Sequence, residues 1–61
     1  MTNTYTIVYF DKECLPMWII ELPQCTGCAE MYTLAEQYMP QGTRFYHCAV
    51  NGATVARITA A

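Results

Sequence analysis

The chain has 61 residues, 54% of them hydrophobic and only 13% charged, with a net charge of −2. Its three basic residues, Lys12, Arg44 and Arg57, do not make the dense positive stripe that neutralises phosphates, so no nucleic-acid partner is expected. The start, MTNTYTIVYFDKE, has no basic segment leading into a long apolar core, and no apolar run reaches the roughly 18 residues of a membrane span, so a cytoplasmic protein with no membrane contact is expected.

Residues 4–10, TYTIVYF, are β-branched and aromatic and predict a strand. Tyr5, Ile7 and Tyr9 share one face of it; Thr4, Thr6, Val8 and Phe10 share the other. The polar run DKECLP, residues 11–16, predicts a turn, and MWIIEL, residues 17–22, predicts a second strand. The short connection makes the pair an antiparallel hairpin. Pro23 ends it. A helix is predicted over 26–39, with Cys28, Met31, Tyr32, Ala35, Tyr38 and Met39 on one side and Glu30, Thr33, Glu36 and Gln37 on the other. Pro40 and Gly42 stop it.

Residues 43–50, TRFYHCAV, predict a third strand, and 53–59, ATVARIT, the strand that returns from it. Asn51-Gly52 between them is the signature of a two-residue type I′ turn, because both residues tolerate positive φ. That turn places Val50 opposite Ala53, Cys48 opposite Val55 and Tyr46 opposite Arg57. Phe45, His47 and Ala49 then share a face with Thr54, Ala56 and Ile58. The expected fold is a small α+β domain over residues 1–61: β-β-α-β-β, two antiparallel hairpins packed with one helix.

A 6.9 kDa chain should expose roughly 4,000 Å² folded against roughly 10,000 Å² extended, so it buries only about 60% of its surface. Five Tyr, two Phe, one Trp and four Met do not fit so small an interior. A second copy of the chain, or another protein, is therefore expected to cover apolar surface. One helix covers one face of a four-stranded sheet, and the other face is expected to make that contact. Trp18, Tyr46 and Arg57, with Tyr5 and Tyr9 behind them, are the candidate partner-binding residues. Arg57 is expected to stack on Tyr46.

The four cysteines leave three chemistries open. As thiols in a reducing compartment they are metal ligands, catalytic groups or small buried hydrophobes. Cys25 and Cys28 have the spacing of a zinc-ligand pair, and Cys14 and Cys48 could complete a four-thiolate site that ties loop, helix and sheet together. His47 neighbours Cys48 but points to the opposite face of its strand. Zinc is the candidate cofactor. As hydrophobes, Cys28 packs beside Met31 and Ala35, Cys25 lies on the same side and Cys48 faces its cross-strand partner. Cys14 lies in a polar turn and is expected to be exposed and oxidisable.

The third chemistry is thiol–disulfide exchange. A Cys-x-x-Cys at a helix N-terminus gains from the helix dipole, which favours a thiolate. The run MWIIELPQCTGCAEMYTLAEQYM, about a third of the chain, resembles the first strand, motif and helix of a glutaredoxin-type domain. That resemblance implies an oxidoreductase or redox sensor acting through Cys25 and Cys28. The rest of the chain departs from the pattern: no proline lies beyond Pro40 to abut the thiols, and too few residues remain for a second helix.

No catalytic residue is otherwise assigned. His47 has no serine or acid at triad spacing, the carboxylates do not pair, and the three glycines are too scattered for a phosphate loop. The leading expectation is a non-enzymatic protein-binding module, an inhibitor or adaptor that homodimerises. Chains of this size are common among phage and mobile-element products, so a viral origin is expected by association.

Overall fold

The computed structural model describes residues 3–60. The aromatic and β-branched run forms β1 (Tyr5–Phe10), and it is followed by β2 (Pro16–Glu21), α1 (Cys28–Gln37), β3 (Phe45–Val50) and β4 (Ala53–Thr59). The strands form one antiparallel sheet in the order β2-β1-β3-β4. Both hairpins thus join a single sheet, with β1 and β3 paired at its centre. The helical connection leaves edge strand β2, crosses β1 and enters β3, so β2 and β3 run parallel with β1 between them.

One face of the sheet is covered by α1. Tyr5, Ile7 and Tyr9 of β1 and Tyr46 and Cys48 of β3 are buried there with Leu22, Cys25, Met31 and Ala35. Ile20, Tyr32, Leu34, Val50, Ala56 and Ile58 pack around them. The tyrosines expected on the uncovered face therefore lie beneath the helix. Both faces of β1 are apolar in sequence, so periodicity alone did not choose between them. The open face carries Val8 and Phe10, their partners Ile19 and Phe45, and His47 and Arg57.

The helix begins two residues later than expected, with Gly27 as its N-cap in extended backbone. Thr26 N–H donates to Glu30 Oε1 at 2.8 Å, so the acidic residue in the first turn holds the entry to the helix. Cys28 opens the first turn of the helix and is exposed there, instead of being buried with Met31 and Ala35. At the far end, Tyr9 Oη donates to Ala35 O at 2.6 Å. This ties the last helical turn, whose carbonyls lack intrahelical donors, to the central strand.

The β3–β4 register follows the expected turn only near that turn. Val50 faces Ala53 and Ala49 faces Thr54, but a bulge between Cys48 and Ala49 then leaves Val55 unpaired. Beyond it Cys48 faces Ala56, His47 faces Arg57 and Tyr46 faces Ile58. A one-residue slip moves side chains to the other face. Arg57 therefore leaves Tyr46 and stands on the open face, with its guanidinium carbon 5.3 Å from the Phe45 ring centroid.

Asn51 and Gly52 take positive φ, 53° and 84°, as a type I′ turn requires. Asn51 also clamps the entry to β1: its Oδ1 accepts from Thr4 N at 2.8 Å, and its backbone N–H donates to Thr4 O at 2.7 Å. Asn51→Ala loses both the left-handed preference and the side-chain acceptor. It is expected to destabilise the domain by about 1–2 kcal/mol in urea unfolding.

Candidate functional site

Three regions carry chemistry: the cysteines around α1, the aromatic surface, and the turn at Cys14. All four cysteines are free; Cys25 and Cys48 are buried, Cys14 and Cys28 exposed. Cys25 Sγ donates to Gly27 O at 3.2 Å, and its side chain forms part of the core. Cys14 stands apart in the β1–β2 turn. Among the described residues, no group of three or more His, Cys, Asp or Glu is placed to hold a metal ion. The four thiols expected as a zinc set, Cys14, Cys25, Cys28 and Cys48, are not gathered into one cluster.

Cys48 lies fully buried under the helix, and burial, with a smaller contribution from the charge of Cys28, pushes its thiol from 9.0 up to about 11. At neutral pH it is a protonated thiol, neither nucleophile nor ready ligand. Its neighbours behave alike. Burial, then the charges of Tyr46 and Cys48, pushes Tyr9 up to about 12. Tyr46 is also raised, by burial first and then by Glu36 and Cys48.

These groups hold protons in the folded state that the unfolded chain releases at lower pH. Their stabilisation is thus present below pH 9 and is lost as pH rises, through about 11 for Cys48 and about 12 for Tyr9. The midpoint of thermal unfolding is expected to be flat from neutral pH to about pH 9 and to fall steeply above it. Circular dichroism melts across that range check this.

The five residues expected as one partner surface are split between the two faces. Tyr5, Tyr9 and Tyr46 are core. Trp18 stacks on Tyr9 at 5.8 Å between ring centroids yet stays half exposed at the helix-side edge. Arg57 stands on the opposite face, its Nε donating to His47 Nε2 at 3.0 Å. That face holds an aromatic group absent from the expected set. Phe10 and Phe45 stack at 4.6 Å, and His47 meets both at 4.7 and 5.6 Å. The alternation Phe45, His47 marked these side chains as sharing a face; what it lacked was Phe10, brought beside them by the β1–β3 pairing.

A second unforeseen feature is the edge strand β2. Leu15, Met17, Trp18 and Ile19 are 56%, 39%, 45% and 60% exposed, a nearly continuous apolar run along an unpaired edge. Leu22 N–H bonds Tyr5 O at 2.9 Å. With the antiparallel alternation this turns the backbone groups of Ile20 and Leu22 toward β1 and those of Ile19 and Glu21 outward. Among the described residues, the edge therefore presents hydrogen-bonding groups without a strand partner, flanked by large apolar side chains.

No family model matches the chain, and neither the curated proteins nor the solved structures compared with it give a match. No helix among the described residues is long and apolar enough to cross a membrane.

Proposed function

We propose that the protein is a non-enzymatic binding module that acts as a homodimer, joined through β2 to make a continuous eight-stranded sheet. The observation that carries this is the exposed apolar run Leu15–Ile19 on an unpaired edge. Soluble monomers blunt such edges with charge, and β2 has only Glu21, at its far end. A two-fold axis at Ile19 sets Ile19 against Ile19 of the second copy as a hydrogen-bonded pair. Trp18 then meets the second copy's Ile20, and Glu21 meets its Met17, so no like charges oppose one another. A standard dimer covers roughly 800 Å² per partner, about a fifth of the 4280 Å² exposed here. The open face, continuous across both copies, would be the surface offered to a target protein, as an inhibitor or adaptor does.

Placing a charge on the axis tests this: Ile19→Lys is expected to give a folded monomer. An Ile19→Lys protein that remains a dimer would refute the edge interface.

A further inference from the structure

Cys14 of the β1–β2 turn, with Arg44, Phe45, Arg57 and Thr59, lines an open cleft of about 320 Å³ at one end of the sheet. Asp11 builds the turn: its Oδ1 accepts from Glu13 N at 2.9 Å and Leu15 N at 3.0 Å, and its carbonyl from Cys14 N at 3.0 Å. Cys14 takes φ 65° there, a left-handed conformation unusual for a residue with a side chain. Arg44 Nη1 reaches Lys12 O at 3.4 Å. Arg57 is fixed through Nε by His47, and its two Nη groups have no acceptor among the described residues. Two of the three basic residues of an acidic chain, Arg44 and Arg57, thus line one pocket, and the third, Lys12, accepts from Arg44 through its backbone carbonyl. Both arginines line the pocket together with Cys14, and no acidic residue does: Asp11 is occupied by the turn, and Glu13, beside Cys14, is outside the lining.

We propose that this pocket takes a carboxylate-bearing, low-molecular-weight disulfide and that Cys14 forms a mixed disulfide with it there. The guanidiniums hold the carboxylates, Arg57 backed by Phe45 and Arg44 by the Lys12 carbonyl. The thiolate form of Cys14 attacks the near sulfur, a new Sγ–S bond forms and the ligand's S–S bond breaks. The other half leaves as a thiolate and takes up the proton that Cys14 released. Cys14 is oxidised, the departing half is reduced, and no other reactant is needed. Cys14, Arg44 and Arg57 are all exposed in the single chain.

Cys28, the other exposed thiol, is a reference inside the same molecule, outside the arginine pocket. Reduced protein is treated separately with glutathione disulfide (anionic), 2-hydroxyethyl disulfide (neutral) and cystamine (cationic), and adducts at Cys14 and Cys28 are counted by peptide mass spectrometry. The Cys14-to-Cys28 rate ratio cancels the intrinsic reactivity of each reagent. It is expected to be about tenfold higher with the anionic reagent than with the cationic one, and to shrink as salt is raised. Arg44→Gln with Arg57→Gln, both on exposed side chains, should bring the three ratios together. A wild-type ratio that is indifferent to reagent charge, or largest with cystamine, overturns the proposal, whatever the variant does.

Discussion

Replacing Tyr9 with alanine is expected to leave the chain largely unfolded at room temperature. Tyr9 is fully buried at the centre of the sheet, between Trp18 and Tyr46 in adjacent strands, with ring centroids 5.8 and 5.6 Å away. Removing a large aromatic core residue costs about 3–5 kcal/mol. The hydroxyl adds to this, since Ala35 O would lose its 2.6 Å donor. A domain of 61 residues has roughly 3–9 kcal/mol of stability at typical values per residue. One substitution thus removes most of it. Tyr9→Phe keeps the ring and separates the contributions: it should fold, and lose about 1–3 kcal/mol for the unpaired carbonyl. Urea unfolding of both at one fixed protein concentration checks the pair, because a dimer's stability depends on concentration.

The second large effect concerns association. In a dimer with its axis at Ile19, Ile19→Lys removes an apolar side chain from each copy and sets two ammonium groups face to face. The dissociation constant is expected to rise at least about a hundredfold, or about 2.7 kcal/mol. Ile19 is 60% exposed, so the folded monomer should scarcely be affected. Gln37→Lys, an exposed position at the helix end, supplies the control and should leave the mass in solution unchanged.

Local features of the fold were legible because they are periodic. The Asn51-Gly52 turn, the four strands, the helix and the α+β class all follow from spacing and turn chemistry. What the spacing could not carry was register beyond the bulge and the choice of face. No glycine or proline marks Val55 as the extra residue, yet its insertion moves Arg57 from Tyr46 to His47. The two faces of β1, Tyr5-Ile7-Tyr9 and Thr6-Val8-Phe10, are both strand-like, and only packing against Met31 and Ala35 decides which is inside. Exposure of Cys14 was visible from its polar turn. Its arginine neighbours were not, because Arg44 and Arg57 reach it through the β1–β3–β4 pairing, across more than 25 residues of chain. The apolar excess pointed to a covered surface, but β2 appears as that surface only once the strand order makes it an edge.

Native mass spectrometry of freshly purified protein, without chelator, tests most directly whether that edge is covered by a second copy. A metal-free species at twice 6.9 kDa is expected. A monomer at micromolar concentration would contradict the dimer, and stoichiometric zinc would contradict the placement of Cys25 and Cys48 as core residues.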